Sequence, residues 1–275
     1  RPDRADVPAG TSRRPGAGSS GRPARRPRGR TARLCRSHGS RLARQLASEH
    51  RVLLVDWPGT GGSDPASGYG PRALARHLVD LLDAWGLDRV GIWAADMGAP
   101  PALCLAALHP ERVAGIAVGN SLLFDDAPTS VQIRIMRRAG LAAMAFAATP
   151  RTVYQQCKQT FLPADVPLPE VLDADLWQHF RRSEVRRTLA RMCRAYDREL
   201  PRLPELYAQI ACPVRTIWGA DEHHFDREHG LRLAQLLPQA EHIDLPGAPH
   251  WMAWTHTDAL HAQLRPFFGD LAWTS

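Results

Sequence analysis

Long apolar runs are missing from this sequence. No stretch approaches the roughly 18–20 residues that a membrane-spanning helix needs, so the expectation is a cytoplasmic protein with no membrane partner. No apolar segment follows the N-terminal arginines, and no secretory signal is read there. Cysteines are few and scattered: Cys35, Cys104, Cys157, Cys193 and Cys212 form no Cys-x-x-Cys pair. Their odd number and spacing exclude a zinc ribbon or a disulfide framework, and neither a metal nor a cofactor is expected.

Residues 1–33 lack aromatic side chains altogether, and Val7 is their only branched apolar residue. A Pro/Gly/Arg/Ser mixture of this kind cannot bury enough surface to offset its ordering entropy, so residues 1–40 are expected to be a disordered tail. That tail also explains the net charge of +7: residues 1–36 hold eleven Arg against two Asp, and the rest of the chain is close to neutral. A domain-wide basic face for nucleic acid is therefore not expected. The tail has no aromatic residue to stack on bases.

What is present begins near Arg41 as alternating strands and helices. Arg51–Asp56 is a continuous apolar run of strand length. Ala73–Trp85 has helical periodicity, Arg89–Ala95 reads as a strand, Ala102–His109 as a helix and Val113–Val118 as a strand. After a long helical region come a strand at Val214–Trp218, a helix at Glu228–Leu237, a strand around His242–Leu245 and a helix at Thr257–Phe268. This alternation predicts an α/β fold with a mostly parallel, doubly wound sheet. Its core is expected to comprise residues 41–121 and 208–275. Residues 122–207, helical and without a convincing strand, form an expected cap.

The most informative segment is Ile92-Trp93-Ala94-Ala95-Asp96-Met97-Gly98-Ala99. A strand runs directly into a helix around a central Asp, with small residues two before and two after it. Such a turn holds its central residue in strained dihedrals and pushes that side chain above the carboxyl edge of the sheet, where ligands bind. From this octapeptide alone, an ordinary helix cap is an equally good role for Asp96.

Four further segments change that balance. Asp56-Trp57-Pro58-Gly59-Thr60-Gly61-Gly62-Ser63-Asp64 resembles the D-x-P-G-x-G-x-S-D loop of α/β-hydrolases. Ala94–Ala99 resembles their G-H-D-x-G-G elbow in the aspartate branch, which includes haloalkane dehalogenases and epoxide hydrolases. His109-Pro110-Glu111-Arg112-Val113 is similar to their H-P-E-R-V, and Trp218-Gly219-Ala220-Asp221-Glu222 to their W-G-x-x-D acid turn. Gly247-Ala248-Pro249-His250-Trp251 resembles their G-x-G-H-W turn. The five motifs run in the family's order from about residue 40 to 272.

The resemblance implies an α/β-hydrolase fold with a helical cap and a small-molecule substrate. It implies Asp96 as nucleophile, His250 as base and Glu222 as acid, with Asp221 the alternative acid one residue earlier. The acid position of some dehalogenases falls near Asn120, which cannot be an anionic partner. The implied reaction is attack of Asp96 on an sp3 carbon of an organic halide or epoxide, giving an alkyl-enzyme ester that His250 hydrolyses with water. The backbone N–H of Met97 is the implied oxyanion donor, and Tyr154 and Tyr196 are the candidate donors to the leaving group.

The pattern is incomplete in both subclasses. Met97 stands where dehalogenases commonly carry a halide-binding Trp. Cys193 stands where epoxide hydrolases place a cap tyrosine, with Tyr196 one helical turn on. No apolar strand ending in H-G-x-P precedes the first helix, so N-terminal strands and one oxyanion donor are expected to be absent, with a shifted reading frame as the explanation. A catalytically inactive, truncated hydrolase-fold protein with a basic tail is the rival expectation.

Overall fold

The computed structural model describes residues 40–138, 150–162, 166 and 168–273. The tail expected over residues 1–40 lies, Ser40 apart, outside the described residues, as does part of the expected cap. Among the described residues four parallel strands form one sheet: β1 (Val90–Ala95), β2 (Val113–Gly119), β3 (Val214–Gly219) and β4 (Ala240–Leu245), in the order β1-β2-β3-β4. Every residue of β2 is buried, as a central parallel strand covered on both faces requires. The pairing of Ala95 with Gly119, of Gly119 with Ile217 and of Gly219 with Leu245 brings the strand ends to one edge. The loops carrying Asp96, Asn120, Glu222 and His250 therefore open together.

Helices cover both faces. On one side lie α1 (Pro71–Trp85), α2 (Ala99–Leu108) and α3 (Glu228–Leu236), whose Leu82, Leu103 and Leu233 pack with Ile116, Val118 and Trp218. On the other, α4 (Thr257–Gly269) and the short α5 (Ser40–Leu46) bring Leu264, Phe267 and Leu42 against Ala117 and Ile217. Helix α1 starts with Pro71 in its first turn and stops at Gly86, whose φ of 62° suits glycine. The N–H of Gly86 bonds Asp83 O and that of Leu87 bonds Leu82 O.

The expected cap carries α6 (Val131–Arg137), α7 (Pro150–Phe161), α8 (Glu170–Phe180), α9 (Ser183–Glu199) and α10 (Leu203–Tyr207), with no strand among its described residues. Leu200, Leu203, Leu206 and Tyr207 belong to the main core, so the end of this segment packs with the sheet domain. No described helix is long and apolar enough to cross a membrane.

One expected strand is not found. Arg51–Asp56 is outside the four-stranded sheet. An apolar run reports burial, whereas a strand needs a hydrogen-bonded neighbour, and no described strand ladders with this one. The loop after it is folded on itself: Asp56 Oδ2 accepts the Gly62 N–H at 2.9 Å, and Ser63 Oγ donates to Asp56 O at 3.0 Å. Gly61 has φ +52°, and a Cβ there would lie 1.9 Å from Asp56 Oδ2. Glycine is required at that point of the motif.

Candidate active site

Strand β1 ends at Ala95 in extended conformation, and Asp96 follows with φ 48°. A left-handed conformation at a non-glycine residue costs roughly 1–3 kcal/mol and persists only where its surroundings hold it. Here both sides of the residue are tied to the end of β2: Asp96 N–H bonds Asn120 O at 3.0 Å, and Ser121 Oγ donates to Asp96 O at 2.7 Å. Ala94 is buried, but a β-carbon at Gly98 would meet only Trp57, at 3.8 Å. A methyl group at Gly98 would therefore make no steric collision.

The Asp96 side chain is half exposed, whereas those of His250 and Glu222 are almost fully buried. His250 Nε2 lies 3.8 Å from Asp96 Oδ2, and His250 Nδ1 lies 2.6 Å from Glu222 Oε2. The other oxygen of Glu222 accepts the His224 N–H at 2.6 Å and the Phe225 N–H at 3.4 Å, which fixes the carboxylate from behind. Asp221 is exposed on the same turn. The imidazole is walled by aromatic rings, with Phe161 at 4.9 Å and Phe225 at 5.5 Å between centroids. Burial would lower its pKa, but the Asp96 and Glu222 carboxylates on either side outweigh burial and raise it to about 9.

Asn120, set aside as an acid, joins these loops. It is fully buried with φ 33°. Its Nδ2 donates to Pro249 O at 3.0 Å and His250 O at 3.1 Å, while its Oδ1 accepts the Gly219 N–H at 2.9 Å. With its own carbonyl bonded to Asp96, it connects the turns that carry Asp96, Glu222 and His250. The sequence signal for this was weak: Asn120 and Ser121 are two polar residues directly after an apolar strand.

Above Asp96 is a cavity of about 390 Å³. Met97, Tyr154 and Tyr196 all line it, so the candidate donors meet at one place. The Tyr196 hydroxyl donates to Met97 O, and the Tyr154 hydroxyl donates to the Asp173 carboxylate. Burial, and then nearby carboxylate charge, raises the pKa of both phenols, so they stay protonated. Cys193, also on the cavity wall, is pushed up to about 12 by burial and by the Asp96 charge, and is an inert thiol rather than a nucleophile. Among the described residues no cluster of His, Cys, Asp and Glu could hold a metal ion.

Residues 29–257 match the family model described as alpha/beta hydrolase fold. The chain belongs to the α/β-hydrolase fold family. It is 27% identical over 228 residues to a 2-hydroxy-6-oxononadienedioate/2-hydroxy-6-oxononatrienedioate hydrolase of Paraburkholderia phymatum, covering 80% of this chain and 77% of that protein. Its fold is similar to the enol-lactonase from Burkholderia xenovorans LB400, with TM-score 0.72, 22% identity and coverage of 87% and 88%. It is similar also to a serine hydrolase from the polyaromatic hydrocarbon-degrading bacterium Cycloclasticus zankles, with TM-score 0.72, 17% identity and coverage of 87% and 86%. The motif reading of the superfamily thus agrees with these relatives, and the chain is a hydrolase of this fold. The narrower branch is different: none of the three is named for a halide or an epoxide.

Proposed function

We propose that this hydrolase acts through an ester formed on Asp96, with an epoxide as the first substrate class and an organic halide as the second. The observation that carries the reading is a carboxylate at the positive-φ elbow, 3.8 Å from the Nε2 of a histidine whose Nδ1 meets buried Glu222 at 2.6 Å. A carboxylate oxygen attacks an sp3 carbon and the carbon–oxygen or carbon–halogen bond breaks, its electron pair leaving with oxygen or halide. In ring opening, the new alkoxide takes the phenolic proton of Tyr196, the cavity tyrosine closest to the elbow through its bond to Met97 O, and solvent restores that proton. Neutral His250 then removes a proton from water. The hydroxide adds to the Asp96 carbonyl carbon, and the Met97 N–H faces the resulting oxyanion. Collapse releases the alcohol, which takes the proton from His250, and leaves Asp96 as a carboxylic acid whose proton passes to His250 and restores the resting pair. Glu222 orients the ring and steadies the imidazolium. Epoxides come first because two protonated tyrosines line the cavity and Met97 offers no indole N–H to a halide.

The relatives favour a second reading, hydrolysis of a 2-hydroxy-6-oxo acid such as the Paraburkholderia enzyme is named for. Against it stands the elbow residue, a carboxylate where acyl chemistry would use a hydroxyl.

Heavy-oxygen water separates the two. In the ester route, water attacks the Asp96 carboxyl carbon, so repeated turnover of an epoxide labels that carboxylate, and peptide mass spectrometry finds the label at Asp96. Turnover without label at Asp96 refutes the ester. Turnover of the oxo acid alone establishes the second reading.

A further inference from the structure

Asp96, Arg137, Lys158 and Asp197 line the cavity, as does His179, whose Nδ1 lies 2.9 Å from the Asp175 carbonyl oxygen. The two cations would be the obvious holders of a substrate carboxylate, yet neither is available. Arg137 Nε binds Asp197 at 3.1 Å, and its other nitrogens bind the Asp125 side chain and, at 3.2 Å, the Asp125 carbonyl. Lys158 Nζ binds both oxygens of Asp173, at 3.1 and 3.2 Å. Asp173 is itself fixed by the Tyr154 hydroxyl, which donates to its carboxylate and lies 3.0 Å from its carbonyl. Burial would raise the Asp173 pKa, but the Tyr154 and Lys158 bonds outweigh it and hold the group ionised. Two cations thus face four carboxylates, counting Asp125 and Asp173 behind them. The rest of the wall includes Leu122, Ile133, Leu176, Val185, Leu189 and Phe180, which offer an anion nothing, and Thr60, Tyr154, Tyr196 and Trp251, whose O–H and N–H groups bring no charge. A ligand carboxylate entering here would lose water and meet the Asp96 carboxylate at the floor, where the His250 imidazolium is already held between Asp96 and Glu222.

We infer that Asp173 is a specificity residue: by masking Lys158 it makes the cavity select uncharged ligands and reject carboxylate-bearing ones. The inference rests on the cavity above Asp96 being the substrate site, but on no step of the chemistry there. It sets this chain apart from the relatives named for dienedioates. The side chain that would have to change is on α8, remote in sequence from the elbow, acid and histidine turns.

A matched pair of ligands tests it without turnover. Phenylbutyramide and phenylbutyrate have the same skeleton and differ in charge, and calorimetry at neutral pH gives their affinities for the wild type, for Asp173→Asn and for Asp173→Asn/Lys158→Met. The wild type should bind the amide about tenfold more tightly, the effect of about 1.4 kcal/mol. Asp173→Asn, which keeps an acceptor for Tyr154, should strengthen phenylbutyrate binding about tenfold and leave the amide nearly unchanged. Adding Lys158→Met should remove that gain. Equal binding of both ligands to the wild type overturns the inference, as do no binding of either, a gain shared by both ligands, or a gain that survives loss of Lys158. Should Asp173→Asn melt far below the wild type, Lys158→Met alone decides: masked, Lys158 can be lost without weakening phenylbutyrate, and a marked weakening overturns the inference. The heavy-oxygen experiment reads a different atom, so unlabelled Asp96 with the ligand pattern intact removes the ester chemistry and leaves the selectivity standing.

Discussion

Replacing Asn120 should damage the site from beneath, and the size of the effect follows from its bonds. In Asn120→Gly the Gly219 N–H loses its acceptor and the Pro249 and His250 carbonyls lose one shared donor. A buried polar group left unpaired costs roughly 1–3 kcal/mol, so one N–H and two partly compensated carbonyls predict a loss of about 2–5 kcal/mol. Glycine tolerates the φ of 33°, whereas alanine does not, and Asn120→Ala should be worse by a further 1–2 kcal/mol, roughly. Asn120→Asp keeps an acceptor for Gly219 but sets a buried charge against two carbonyl oxygens, so it should not rescue. Urea unfolding measures the stabilities, with an unchanged m-value required for the comparison. Turnover on the substrate found by the labelling experiment should fall in kcat with KM nearly constant, because the histidine turn is displaced while the cavity wall is intact. Wild-type stability and kcat in Asn120→Ala would refute the argument outright.

Three other outcomes are expected. Glu222→Gln should reduce kcat far more than Asp221→Asn, since the side chain 2.6 Å from His250 Nδ1 is Glu222 and Asp221 is exposed; steady-state kinetics of both variants decides, and a larger loss at Asp221 would reverse the assignment. The His250 imidazole should titrate near 9 by NMR, above its ordinary value of 6.5, and Asp96→Asn should lower it; because the folded value is the higher one, its contribution to stability is complete below about pH 6.5 and fades as pH rises through about 9, which thermal melts across that window should follow. Gly61→Ala should destabilise the Asp56–Asp64 loop by roughly 1–3 kcal/mol in urea unfolding, because both its φ of +52° and the Asp56 carboxylate exclude a β-carbon.

Local chemistry was legible in the sequence where a motif states its own geometry. The elbow octapeptide indicated a strained Asp at a strand end, and Asp96 has the expected positive φ. The end of helix α1 was read at Trp85, where it lies, with left-handed Gly86 after it, while its start is at Pro71 rather than Ala73. Non-local facts were not legible. Arg51–Asp56 looked like any buried parallel strand, since periodicity says nothing about whether a neighbour completes the ladder. Asn120 gave no hint that its side chain would reach three backbone groups from two other loops, because those loops lie about 100 and 130 residues away and meet it only through the parallel register. Asp173 was one acid among three on α8 until the fold set it against Lys158 and Tyr154.

The protonation of His250 gives the proposed sequence of steps its direction. In the resting site two carboxylates flank the imidazole, and their charges outweigh burial, so the ring carries a proton at neutral pH. A charged ring cannot remove a proton from water. It does stabilise the Asp96 carboxylate beside it, which must be ionised to attack carbon. Esterification removes the Asp96 charge and with it one of the two influences that raise the imidazole pKa. Desolvation, which opposes the proton, then gains relative weight, and the ring gives its proton to solvent, reaching the neutral form that the second step requires. Glu222 remains fixed by the His224 and Phe225 amides, so the ring neither turns nor loses its partner as the proton leaves. A serine at the elbow would carry no charge for the first step to consume. Only with a carboxylate there does forming the covalent intermediate itself convert the histidine from counter-ion to base.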